Sequence, residues 1–320
     1  MTDQRKEHED FENEVRRIAR ELWPDAQFSG AAKIEGRERD GVFETEECFH
    51  LLEATTSRSQ DKAENDIGKL VKLAASVKKY AGIKAVKCWF VTRDEPTADQ
   101  RKPAERCRDL VNVLSFSQFQ QRLVNTRAYL DARDKCGFGS VRDPATGRGV
   151  PKVDYIQISL VDQNRGTTSS PSDVVQALLA GGRAVVLGDY GAGKSMTMRF
   201  LHRAMSQAHK EGRTSQFPVY LNLREHYGQT DPGEILQRHA VTIGFEFPAH
   251  LVRAWRAGYV HLLLDGFDEL TPLNIQGLWR KLKDNRYRAM ELVRTLVRDH
   301  PARAGLALAG RAHFFDSDAE

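Results

Sequence analysis

Four cysteines in 320 residues are too few to staple a fold. Cys48, Cys88, Cys107 and Cys136 lie far apart and form no CxxC pair. That pattern argues against a disulfide framework or a zinc site and suits reduced thiols in a cytosolic protein. No apolar run approaches the length of a membrane-crossing helix, so no membrane partner is expected. The opening "MTDQRKEHEDFENEVRRIARELW" is too acidic and too helical in pattern for a secretory signal. Internal repeats and low-complexity tracts are also lacking.

An excess of one charge is nearly lacking too. The chain has 48 Lys and Arg against 44 Asp and Glu, a net charge of +4. Residues 1–130 hold 23 of each sign, so the surplus (25 against 21) lies entirely beyond them. A nucleic-acid partner must therefore be met by a local face rather than by global charge. The run Lys62, Lys69, Lys72, Lys78, Lys79, Lys84 and Lys87 is one candidate face; a solvated helix surface is the alternative.

What is present is a soluble composition, 40% apolar and 29% charged, long enough for two cores. Phe11, Val15, Ile18 and Leu22 recur at helical spacing until Pro24. "GVFETEECFHLLEAT" reads as two strands with an acidic turn. Residues 60–80 read as a helix with Ile67, Leu70, Val71, Ala74 and Val77 on one face. "AVKCWFVT" and "DLVNVLSF" read as strands, and "SQFQQRLV" opens with a serine suited to capping a helix. The Gly-, Pro- and Arg-rich "DARDKCGFGSVRDPATGRGV" reads as a linker. "VDYIQISLVD" reads as a short strand. Ser172 or Asp173 is expected to cap "VVQALLAGG", after which a second α/β domain begins. The expected division is a domain over 1–128, a linker over 129–165 and a second domain over 166–320.

"AVVLGDYGAGKS" supplies an apolar strand, a glycine loop and the start of a helix, and it completes GxxxxGK[ST] with Gly188, Gly193, Lys194 and Ser195. Gly191 is an additional loop glycine. Backbone N–H groups of such a loop close around phosphates, and the helix N-terminus adds its positive dipole end. Lys194 is expected to neutralise the β- and γ-phosphates and Ser195 to hold Mg²⁺. Met196, next in the first helical turn, completes the expected set. About seventy residues on, "YVHLLLDGFDEL" ends a buried strand in Asp265, the second Mg²⁺ ligand candidate. Asp268 and Glu269 are candidates to position or activate the attacking water; a helix cap is their bland alternative.

"LLLDGFDEL" resembles the Walker B segment of NACHT domains, and "ARAGLALAGRAHFF" resembles their next strand, with Arg311 at the sensor position. The family more often has Thr or Ser where this chain has Ala309-Gly310. The resemblance spans roughly residues 165–320 and implies a STAND-class ATPase with ATP or ADP and Mg²⁺ as cofactors. It further implies a switch that is closed with ADP and a homo-oligomer with ATP. The chain stops at Glu320, just after the sensor strand, so a fragment or an unusually short member is expected.

In the N-terminal part, Asp40 precedes one strand and Glu53 ends the next, placing two carboxylates where neighbouring antiparallel strands could share one metal. With the leading helix and Glu12 in "FENE", this layout resembles the Mrr-like domains of the PD-(D/E)xK superfamily over roughly residues 8–125. Where that family has lysine, Thr55 stands here. Lysine migration into the following helix is known in the superfamily; Lys62 and then Lys69 are the candidates, seven residues apart on nearly one face, with Gln60 behind them. The resemblance thus implies a restriction-endonuclease-like α/β domain followed by a P-loop α/β domain. Its function would be an ATP-switched, Mg²⁺-dependent DNA endonuclease of bacterial anti-phage defence, cytoplasmic, triggered by an unknown phage-derived ligand. The alternative is an assembly ATPase whose N-terminal domain binds DNA or partners without cleaving.

Overall fold

A computed structural model of the chain describes residues 2–34, 37–138, 155–156, 158–163, 165–226, 229–267 and 290–311; for residues 2–4, 28–34 and 37–40 it describes the backbone alone. The chain divides into two compact units, Met1–Val124 and Asn125–Glu320.

The first unit is built on one five-stranded mixed sheet. Helix α1 (Thr2–Leu22) leads into β1 (Phe28–Ile34), β2 (Arg37–Glu44) and β3 (Cys48–Thr55). Then follow α2 (Gln60–Lys78), β4 (Ala85–Thr92), α3 (Ala98–Glu105), β5 (Val111–Ser115) and α4 (Phe116–Leu123). The order is β1-β2-β3-β4-β5. The first three strands pair antiparallel, and β3, β4 and β5 pair parallel through the helical crossovers. On one face α2 buries Ala63, Ile67, Leu70 and Ala74 against Val42, Leu51, Cys88 and Phe90. α1 meets α4 through Phe11 and Phe116, whose rings lie 5.7 Å apart edge to face. With six of its eight residues fully buried in sequence from His50 or nearly so, β3 is the central strand that both helical layers cover.

Two strand and cap expectations change here. β1 pairs beside β2, a strand the sequence pattern did not reveal. α4 is capped by Ser115, not by the serine two residues later: Ser115 accepts from Gln118 N, and Gln118 Oε1 accepts from Ser115 N. This reciprocal pair satisfies two otherwise orphaned donors.

The second unit starts at α5 (Thr126–Asp134), directly after the contact boundary. Residues expected partly as linker are thus helical, because Tyr129, Leu130 and Arg133 are buried within this unit. A short antiparallel pair, β6 (Leu160–Val161) and β7 (Thr168–Ser169), precedes α6 (Pro171–Leu179). The expected strand "VDYIQISLVD" is described as strand only at β6; residues 139–154, the rest of the expected linker, lie outside the described residues. Ser170 caps α6, with Asp173 as its capping-box partner at the third helical position, so neither Ser172 nor Asp173 is the cap. The unit continues with β8 (Arg183–Leu187), α7 (Lys194–Lys210), β9 (Phe217–Asn222), α8 (Pro232–Thr242), α9 (Pro248–Arg256), β10 (Val260–Asp265), a helical run over 290–299 and β11 (Leu306–Gly310).

Its four long strands are all parallel, in the order β8-β11-β10-β9. α6 and α7 pack on one face through Val175, Leu178, Met198, Leu201 and Met205, against Val186, Tyr220, Leu263, Ala307 and Ala309. Gly305 permits that approach: a Cβ there would lie 2.3 Å from Leu178 O. No described helix is long and apolar enough to cross a membrane.

Candidate functional site

Parallel strands send all their carboxyl ends to one edge of the sheet, the edge where α/β proteins place ligands. Here β8 delivers the glycine loop, β10 delivers Asp265 and β11 delivers Arg311. β11 lies between the other two, so the loop and the acid are separated laterally by about 10 Å, two strand spacings. The register is level: Leu308 pairs with both Val185 and Leu264. Gly188 N donates to Gly310 O at 3.3 Å, extending the β8–β11 ladder into the loop itself.

Between Gly188 and α7 the backbone turns through Gly191 at φ 80° and Gly193 at φ 85°. Side-chain-bearing residues pay for left-handed backbone, which is why the spacing demands glycine at Gly193. Gly193 is the N-cap of α7 and offers no side-chain cap, and the first turn contains no acidic residue. The N–H groups of Lys194, Ser195 and Met196 are therefore at the uncapped, positive end of a helix of 17 residues. Lys194 Nζ folds back over the loop, donating to Gly188 O at 2.8 Å and Asp189 O at 3.0 Å. Such a cradle fits a chain of phosphates, which would offer the ammonium stronger, charged acceptors.

Asp265 is buried at 3% exposure and accepts a 2.7 Å hydrogen bond from the Tyr220 hydroxyl of β9. Sequence reading missed Tyr220 because no motif marks "FPVYLN"; only the pairing of β9 with β10 brings it there. Arg311 is half-buried with its guanidinium 5.7 Å from the ring of exposed Tyr190, at the tip of the glycine loop. Asp268 and Glu269 lie outside the described residues. The loop, the acid and the arginine thus meet at one sheet edge, as a nucleotide and its Mg²⁺ require.

Residues 183–314 match the NACHT domain family. The match takes in every described element of this edge, from β8 through Arg311, and supports a NACHT P-loop NTPase. No curated protein matches the chain. The NACHT family implies nucleoside-triphosphate binding and hydrolysis in a signalling or assembly protein, which fits the cradle geometry.

In the first unit, Glu53 is buried on β3 at 6% exposure but stands before the strand's end at Thr55, and Asp40 lies within β2 rather than ahead of it, because both strands run longer than their apolar stretches. Gly41 pairs with Leu52 across β2–β3, the last pair of that ladder, so Asp40 and Glu53 each stand one residue beyond it, and the β1–β2 register shifts beside Asp40. The Asp40 side chain lies outside the described residues. Among the described residues no group of three or more His, Cys, Asp or Glu is arranged around a metal position. Glu12 lies on α1 with His8 and Arg16 within 3.5 and 3.7 Å.

Thr55 is buried at 1% and its hydroxyl accepts from Ser57 N at 3.2 Å, which begins the turn into α2. Lys62 and Lys69 do come together, on a residue the sequence reading passed over. Both ammonium groups reach Asp66, at 3.2 Å and 2.7 Å. Asp66 is 1% exposed, on the face of α2 that covers the sheet. A buried carboxylate requires such cationic donors. The spacing, four before and three after, is the ordinary ion-pair spacing of a helix and was the available signal.

Proposed function

We propose that this chain is an ATP-switched assembly protein whose N-terminal unit is a Mg²⁺-dependent DNA endonuclease of anti-phage defence. The observation that supports the switch is the convergence of the Gly188–Ser195 loop, Asp265 and Arg311 at one edge of a parallel sheet. In this reading Lys194 leaves the Gly188 and Asp189 carbonyls for the β- and γ-phosphates, and the α7 N–H groups take the remaining phosphate oxygens. Asp265, oriented by Tyr220, and Ser195 would hold Mg²⁺, whose chemistry is to neutralise charge on the phosphate oxygens. Arg311 would face the γ-phosphate, so that nucleotide state alters β11 and the loop together. The homo-oligomer, the phage-derived trigger and a cytoplasmic location belong to the same proposal.

For the N-terminal unit, support comes from Glu53, buried on β3, from Asp40 on the neighbouring strand β2 one residue beyond the Gly41–Leu52 pair, and from two lysines of α2, Lys62 near its start and Lys69 at its middle. Glu53 and Asp40 would hold the metal, and Lys62 or Lys69 would supply the cation near the attacked phosphate. A second reading is favoured by Asp66: because both lysines ion-pair with it, they serve the stability of α2, and the unit binds DNA or partners without cutting. Plasmid cleavage with Mg²⁺ by the triggered protein decides between them. Loss of cleavage in Glu53→Ala with DNA binding retained is expected. Cleavage equal to wild type removes the catalytic assignment, and salt-dependent binding without any cleavage establishes the second reading.

A further inference from the structure

Away from the sheet edge, the second unit has a cavity of about 380 Å³ between α7 and the end of α5. That size lies within the range of small-molecule sites. Its walls are unusual in charge: Arg199, Arg203 and Lys210 line it against one acid, Asp134. Asp134 is already 3.9 Å from Lys210. Arg203 makes no ion pair among the described residues, and it is one of the like charges that act on Arg199. Arg199 is buried at 4% exposure, and burial first, then the neighbouring Arg203 and Arg133, pull its pKa below the usual guanidinium value.

Helical geometry explains the alignment. Positions 199, 203 and 210 fall within about 40° of each other around the α7 axis and extend over about 16 Å along it. Lys194, the P-loop lysine, begins the same helix about 7 Å before Arg199, so the cavity runs from the middle of α7 to its far end. The wall opposite is Phe138, whose ring is held from behind by the Arg133 guanidinium at 4.0 Å. Arg133 itself is fixed by donating to Cys136 O at 3.2 Å and Gly137 O at 2.9 Å, which places a fourth positive charge behind the wall. Folding gathers these like charges at a cost that a bound anion would offset.

The geometry points to a second anion site in the NTPase unit, one that takes a small molecule carrying two or more phosphate groups. A single phosphate would meet one or two cations; two phosphates reach Arg199 in the depth and Arg203 and Lys210 at the mouth. Duplex DNA presents its phosphates on a convex surface and cannot follow them into a cavity of this size. The site is separate from the nucleotide cradle and goes beyond the switch proposed above. Phe138 also packs 4.7 Å from Tyr220, the residue that holds Asp265, so occupancy would be felt at the nucleotide edge.

The test uses the 320-residue chain with Lys194→Ala, which removes the P-loop lysine, and inorganic pyrophosphate as the calorimetric probe. Pyrophosphate binding in this background is expected, at least tenfold tighter than inorganic phosphate. Adding Arg203→Gln and Lys210→Gln is expected to weaken it at least tenfold. Both positions are exposed, so the variant should melt at the parent's temperature. Restoring charge with Arg203→Lys and Lys210→Arg should recover binding. Absence of pyrophosphate binding in the Lys194→Ala protein overturns the proposal. So does unchanged binding in the double glutamine variant, or a 20-base-pair duplex that depends on these residues when pyrophosphate does not.

Discussion

Tyr220→Phe removes one hydroxyl and leaves the ring packing of β9 in place. In the wild type that hydroxyl donates at 2.7 Å to Asp265, a carboxylate only 3% exposed. A hydrogen bond to a charged group contributes about 1.5–3 kcal/mol, and its loss leaves part of a buried carboxylate without a donor. For a unit of this size that corresponds to a fall in Tm of roughly 3–12 °C. Metal affinity should suffer as well, because residues that orient a metal ligand are typically worth about 10–100-fold. ADP binding measured with Mg²⁺ and with EDTA separates the two effects. The variant should lose about tenfold of the Mg²⁺-dependent gain while its Mg²⁺-free affinity stays near wild type. An unchanged Tm together with an unchanged Mg²⁺ increment would refute the role given to Tyr220. A drop in Tm alone would make the bond structural and detach it from metal binding.

Gly193→Ala, at φ 85°, should cost on the order of 1–2 kcal/mol in apo stability and abolish ADP binding by moving the first α7 N–H groups; calorimetry with and without ADP checks it. Lys62→Ala with Lys69→Ala should destabilise the first unit by on the order of 2 kcal/mol, below the value for a fully buried pair because the lysines are 40% and 42% exposed. If urea unfolding shows no such loss while cleavage disappears, the lysines act in chemistry rather than on Asp66. His239, His261 and His300 are buried, and burial first pushes their pKa values to about 3, 3 and 4. Because these folded values lie below the unfolded value near 6.5, the neutral rings stabilise the fold above that pH and the contribution is lost as pH falls through 6.5 to about 4 for His300 and about 3 for His239 and His261. Each should lose roughly 2 kcal/mol between pH 7 and pH 5, read as a steep fall in the Tm of the second unit; a flat profile would refute it.

What the sequence made legible was local. The Gly188–Ser195 spacing encodes a strand, a loop and a helix within one stretch, so its residues could be placed before any fold was known. β4 was readable to the residue because "AVKCWFVT" is continuous and β-rich. β1 was not, since "FSGAAKI" has little β propensity and forms a strand by pairing with β2. The caps at Ser115 and Ser170 carry the S-x-x-Q and S-x-x-D signatures, yet the later polar residues drew the boundary forward by about two positions. Asp66 had a local signal in its helical spacing from Lys62 and Lys69, but Tyr220 and the basic face of α7 acquire meaning only through long-range pairing: β9 with β10, and α7 with the end of α5. None of those partners follows from spacing along the chain.

The boundary at Val124 and Asn125 has a mechanical consequence. Val124 is the C-cap of α4 and Asn125 is the N-cap of α5, with Asn125 Oδ1 accepting from Ala128 N at 3.0 Å. One peptide bond, already committed at both ends, therefore joins the two units. No residue stands between the two caps, unlike a Gly/Ser tether, whose reach grows as the square root of its length. Under the assembly proposed above, each NTPase unit would bring its N-terminal unit at a local concentration set by the assembly, with no linker to dilute it. Inserting a twelve-residue Gly/Ser segment at this joint should leave both units folded and, under that assembly, dilute whatever the N-terminal units do together.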